Sequence, residues 1–207
     1  CKYNLKNPLD TNGAFRITWH NSPTFDANGV IGDGVTAYGD THLNGSSVLS
    51  LNDTSVGFYS RTSSGYTAEP SFFDMGYSNN SNGILMRGAR IVGDRIYSQH
   101  YSNSDPNGYI EAANSDGKGF YVATRTSDSH LEIYKDGVSQ ATVTGATFGS
   151  LSALNVYVLG INLGGTPESG IPRQMAYQFV GSGLTDTDVT NFNTAVVAFQ
   201  TALSRNV

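Results

Sequence analysis

The densest run of side chains able to make apolar and polar contacts together is Tyr97, His100, Tyr101, Asn103, Asp105, Asn107 and Tyr109. Sugar recognition needs apolar surfaces for CH groups and planar amides or carboxylates for hydroxyls, held on rigid loops. This stretch offers both, between two segments expected to be strands, and it is the expected ligand contact site. The chain has twelve tyrosines, however, and tyrosines in a β-rich protein also serve as cross-strand packing residues, so that alternative stands beside the first.

Within the same stretch, Asn103, Asp105, Asn107, Gly108 and Ile110 imitate the first half of a calcium loop, with oxygens at alternate positions before a glycine that permits a sharp turn. The second half departs from that pattern. No acid stands where the bidentate ligand belongs, Pro106 interrupts the loop, and no helices flank it. An Asx-rich turn accounts for the same residues. Calcium on Asn103, Asp105 and Asn107 is the metal reading to test, and no other cofactor is expected. Asp26, Asp33, Asp40 and Asp74 are a second set of hard oxygen donors that could meet at a sheet rim.

Catalysis has less support. Glycoside hydrolysis needs two carboxylates flanking one bond. The only glutamates are Glu69, Glu111, Glu132 and Glu168, and no Glu-x-Asp-x-Glu or Glu-x-Asp-x-x-Glu strand presents paired acids on one face. There is no Gly-x-Ser-x-Gly elbow, and His20, His42, His100 and His130 have no fixed-spacing partners. HExxH and CxxC are absent, so zinc has no motif. The expectation is a protein that is not an enzyme, with a carbohydrate-active enzyme as the weakest alternative.

Composition narrows the partners. Charged residues make up 14% of 207, against roughly 25% in an ordinary soluble protein, so the surface is mostly neutral and polar. A net charge of -5 with scattered Lys and Arg provides no basic stripe for nucleic acid. No apolar run approaches the roughly 18 to 20 residues of a membrane span, and no membrane insertion is expected. Cys1 is the only cysteine, which excludes an intrachain disulfide. An acylated terminal cysteine is one reading of it; the missing polar tether favours the other, that the chain is a processed or ordered part of something longer.

The elements that must position these residues are short strands. Phe15, Ile17 and Trp19 alternate with Arg16, Thr18 and His20, the period of a half-buried strand. Further runs fall at 56–59, 120–124, 131–134, 155–163 and 175–180, separated by Gly, Asn, Asp and Ser. Asp136 and Gly137 suit the positive φ angles of a two-residue hairpin between Tyr134 and Val138. GFYSRTSSG at 57–65 echoes GFYVATRTSD at 119–128 and reads as two equivalent strands. The end changes period: Val189, Phe192, Val196, Phe199 and Leu203 mark one face of a helix over 185–205. Thr185 is its expected N-cap with Asp188 three residues on, and Arg205 falls in the expected last turn. That face is expected to pack on its own sandwich, with a seam between copies as the alternative.

With these elements placed, the chain resembles the laminin-G-like or concanavalin A-like domains of tailed-phage structural proteins and bacterial surface proteins. The residues that carry the likeness are NLKNPLDTNGAFRITW at 4–19, DGVTAYGDTHLN at 33–44 and LSLNDTSVGFYSRT at 49–62. HLEIYKDG at 130–137 and FVGSGLTDTDVTNFNTAVVAFQTALSR at 179–205 complete it. The resemblance implies one all-β, two-sheet antiparallel jelly-roll domain over 1–207, with an N-terminal arm at 1–13 and a C-terminal α-helix. In function it implies a virion-surface structural or adhesion protein of a bacteriophage, such as a head fibre, decoration or tail-associated protein. Its partners would be other virion proteins or copies of itself, with weak binding to cell-surface glycans. The alternative is a glycan-binding module of a secreted or surface-anchored bacterial protein.

Overall fold

A computed structural model describes residues 2–63, 73–79, 83–87, 95–100, 109–145, 149–169 and 171–207. After a short 3-10 turn, Asn12–Ala14, come β1 (Thr18–His20), β2 (Thr24–Asp26), β3 (Gly29–Ile31), β4 (Tyr38–Asn44), the one-turn helix α1 (Gly45–Val48) and β5 (Thr54–Ser60). The middle of the chain forms β6 (Met75–Ser78), β7 (Gly83–Arg87), β8 (Arg95–His100), β9 (Tyr109–Ala113) and β10 (Gly119–Arg125). Then follow β11 (His130–Lys135), β12 (Val138–Thr144), β13 (Asn155–Val158), β14 (Gly160–Leu163), β15 (Thr166–Ser169), β16 (Gln174–Gly181) and the helix α2 (Asp186–Ala202).

The strands make two stacked sheets, an all-β jelly-roll sandwich with a C-terminal helix. One sheet runs β1-β4-β13-β6-β7-β8-β9, with β14 and β15 joined beside β6; the other runs β12-β11-β10-β5-β16-β3-β2. Between them lies a core that includes Val56, Phe58, Tyr121, Ala123, Leu131 and Ile133 from the seven-stranded sheet and Leu43, Met75, Tyr77, Val156 and Val158 from the other. The opposite face of the seven-stranded sheet is also covered. Tyr59, Phe120, Val122 and Tyr134 meet Val189 and Val196 of α2 in a second cluster. That double cover is why β5 and β10 are buried along their whole lengths. Gly57 belongs to the same packing, because a Cβ there would stand 2.5 Å from the Phe179 ring.

The terminal helix therefore lies on its own sandwich. Thr185 caps it in a capping box with Asp188, as the sequence predicts. Arg205 does not fall in the last turn: the helix ends at Ala202, and Arg205 follows the C-cap, with its guanidinium 5.4 Å from the Phe199 ring centre. The Asp136-Gly137 hairpin forms with φ of 51° and 78°.

Three sequence expectations are modified by backbone geometry. The strand expected from Phe15 begins at Thr18, because Phe15 closes the preceding 3-10 turn with φ 56°. The run 155–163 is two strands, broken at Leu159 with φ 60°. The two GFY segments are neighbours in one sheet but are not equivalent, since Phe58 pairs with Tyr121 and Tyr59 with Phe120. Antiparallel pairing in that register turns Phe58 into the sandwich and Phe120 towards the helix.

Candidate functional site

The expected contact residues fall around the β8-β9 pair. Tyr97 and His100 lie in β8 and Tyr109 in β9, with Tyr97 opposite Glu111 and Tyr109 opposite Gln99. Tyr101, Asn103, Asp105 and Asn107 lie outside the described residues, and with them the calcium reading. Cys1 lies outside them too.

The four other aspartates do not converge. Asp26 accepts hydrogen bonds from the Gln174 amide at 2.9 and 3.0 Å. Asp33 closes its own turn: burial alone would raise its pKa, but the backbone N–H groups of Ala37, Val35 and Thr36 and the Thr36 hydroxyl outweigh it and hold the carboxyl at about 2. Asp74 is fully buried in an ion pair with Arg173 at 2.5 Å. Among the described residues, no three His, Cys, Asp or Glu side chains gather as a metal site would require.

The residues the structure does bring together sit on the outer face of the nine-stranded sheet, across β1, β4 and β13. Register places Thr18 opposite Asp40 and Asp40 opposite Tyr157, with His20 opposite Tyr38. Trp19 between them turns inward against the core, and Gly39 beside it leaves room for that ring, since a Cβ there would stand 2.7 Å from Trp19. On the outer side three rings form a row. His20 stacks on Tyr38 with centres 4.6 Å apart, and Tyr38 stacks on Tyr157 at 4.8 Å.

A bulge supplies the polar half of the site. Between the pairs Asn155-Asn44 and Tyr157-Asp40 the β4 strand carries extra residues, and His42 at the centre takes φ 56°. Such bulges re-aim side chains. The Asp40 carboxylate holds this one by accepting the His42 N–H at 2.7 Å, while Thr41 donates to the Val156 carbonyl at 2.7 Å. Asp40 also accepts the Asn155 amide at 3.1 Å, and the His42 Nε2 lies 2.7 Å from the Thr18 hydroxyl. Burial, then the Asp40 charge, pushes the Tyr38 phenol up; Tyr157 rises by burial, then through Asp40 and Tyr38. Both phenols stay protonated at neutral pH and remain donors.

The row thus presents ring carbon with phenol and imidazole groups, beside one carboxylate and one amide that are already oriented. These are the groups that recognition of an amphipathic, hydroxyl-bearing ligand calls on. Sequence reading missed it because its members are spread from Thr18 to Tyr157 and none follows a spacing motif. The available signal was the polar side of the first strand, Thr18 and His20.

No family model matches the chain, and no curated protein matches it. Solved structures do. The chain is similar to domain 4 of AbnA, a GH43 extracellular arabinanase from Geobacillus stearothermophilus in complex with arabinotriose: TM-score 0.57, 16% identity, 88% of this chain and 91% of that one. It is similar to the CBM40 of the Ruminococcus gnavus IT-sialidase bound to alpha2,3 sialyllactose: TM-score 0.51, 12% identity, 70% of this chain and 84% of that one. A Trp-to-Ala mutant of HCR/D gives TM-score 0.60 at 9% identity over 88% of this chain, which spans 47% of that protein. At such identities the likeness is one of fold: these are β-sandwiches of the same jelly-roll build.

Proposed function

We propose that the chain is a non-enzymatic glycan-binding module working outside a cell, with the His20-Tyr38-Tyr157 row and Asp40, His42 and Asn155 as its contact face. The observation that carries this is the stacked row itself, lying on a sheet face that no described helix covers. Arabinotriose and sialyllactose in complexes of similarly folded domains support the ligand class. The site has one carboxylate among the described residues, where glycoside hydrolysis uses two, which supports binding without turnover. The virion-surface role rests on the sequence resemblance alone and concerns where such a module would be displayed; the similarity to domains bound to sugars favours the glycan-binding alternative.

A glycan array probed with the wild-type chain and with Tyr38→Ala, each with and without calcium, tests the proposal. Wild-type hits that vanish in a variant of unchanged far-UV circular dichroism are expected. An array with no hits in either buffer would refute it.

A further inference from the structure

Among the described residues, the seven-stranded sheet has one edge that is paired over only part of its length. β3 pairs with β16 only at Gln174 and Met175, whereas β5 follows β16 on to Gly181. From Ala176 to Gly181 the side of β16 away from β5 has no strand partner among the described residues. Natural edges of this length are usually blunted by charge, proline or a bulge. The segment Ala-Tyr-Gln-Phe-Val-Gly has no charge and no proline. The long edge strand β12, by contrast, is polar and pairs with β11 through a bulge.

Along this edge runs a cleft of about 760 Å³. Ile17, Leu43 and Val158 line its inner side, Phe199 and Leu203 its outer side, and segments 3–6 and 48–50 take part in its wall. Phe199 and Leu203 are 42% and 47% exposed, so the C-terminal end of the helix face is apolar without being covered. A strand in a sandwich advances about 3.3 Å per residue, lies about 4.8 Å from its neighbour and spans a layer of about 10 Å, so six residues fill roughly 1,000 Å³. The cleft is of the same order as one strand, somewhat smaller, and far too small for a second sandwich. Its apolar residues flank the edge on both sides, as the alternating side chains of an added strand require.

Charge refines the fit. The chain carries -5 overall, yet the cleft is lined by Lys6 and Arg205, neither of which has an ion-pair partner among the described residues. The Arg205 Nε is buried without a hydrogen-bond partner among the described residues. Asp53, also in the lining, accepts the Gly183 N–H at 2.6 Å.

We propose that this cleft receives an extended apolar segment of another protein as an added strand, antiparallel to β16 and in line with β3, with an acidic side chain towards Arg205. The cleft does not include the His20, Tyr38 and Tyr157 rings of the proposed glycan face, so the two readings stand or fall separately. Because strand addition rests on main-chain hydrogen bonds, a generic probe suffices: the labelled peptide acetyl-Thr-Val-Thr-Val-Thr-Val-Asp, titrated by fluorescence anisotropy into the full chain, with amide hydrogen exchange read at 176–181. Binding with at least tenfold slower exchange across 176–181 is expected. N-methylation of one alternate set of peptide amides should abolish binding and methylation of the other set should not. Arg205→Glu should weaken the peptide several-fold, and replacing its Asp by Lys should restore it. No binding at millimolar peptide, unchanged exchange at saturation, or indifference to both methylated sets would overturn the proposal. So would exchange protection that rises with protein concentration alone alongside a sedimenting dimer, which would make a second copy the occupant.

Discussion

The two outer faces of the sandwich hold similar residues in opposite circumstances. On the seven-stranded sheet, Phe120 meets Phe192 edge-on at 5.3 Å, and Phe179 meets it at 4.8 Å, beneath α2. On the nine-stranded sheet, His20, Tyr38 and Tyr157 stack on one another with no described helix above them. Aromatic rings on the first face supply stability, because each contact is closed by another apolar group. On the second, His20 and Tyr38 are organised by neighbours and remain half-buried, while Tyr157 packs against Tyr38 at 9% exposure. Composition cannot distinguish these uses; what covers the sheet decides.

Substitutions should separate the two faces cleanly. Phe120→Ala removes a fully buried ring from beneath the helix and should cost about 3 to 5 kcal/mol, read by chemical denaturation, with sugar affinity unchanged in the folded fraction. Arg173→Met takes the cation from the buried Asp74 carboxylate and should cost about 3 to 5 kcal/mol; a loss under 1 kcal/mol would show that the pair does not hold the fold. On the open face, Tyr38→Ala should weaken sugar binding at least tenfold, about 1.4 kcal/mol, while shifting the melting temperature far less than Phe120→Ala does. Thr185→Ala, which removes the N-cap of α2, should cost about 1 kcal/mol and leave binding untouched.

The smallest effect is one of pH. Asp33 has its folded pKa lowered to about 2, so its contribution is present above the unfolded carboxylate pKa and is lost as pH falls through the folded value. Between pH 4 and pH 2 the wild type should lose more stability than Asp33→Asn does. Equal losses in acid titrations of the two would remove Asp33 as a cause.

Local patterns were legible in the sequence and long-range pairings were not. The capping box at Thr185 and the Asp136-Gly137 turn depend on residues a few positions apart, and both form as read. The helix face was legible as apolar, but its division was not: Val189 and Val196 are buried while Phe199 and Leu203 stay exposed. The opposite facing of Phe58 and Phe120 follows from pairing across more than sixty residues, which a repeated GFY cannot reveal. Many of the tyrosines turned out to pack: Tyr59, Tyr77, Tyr121 and Tyr134 are all at most 2% exposed. Tyr157 is buried too, at 9% exposure, and Tyr38 beside it stays half-buried where the β4 bulge and the β13 register bring the two rings together.

The most direct measurement is an amide NMR titration of the uniformly labelled chain with the sugar that an array selects, or with arabinotriose as the first probe. Saturable shifts concentrated at 18–20, 38–42 and 155–157 are the expected result. Saturable shifts confined to 97–109, with the β1-β4-β13 face silent, would contradict the assignment of that face as the binding site.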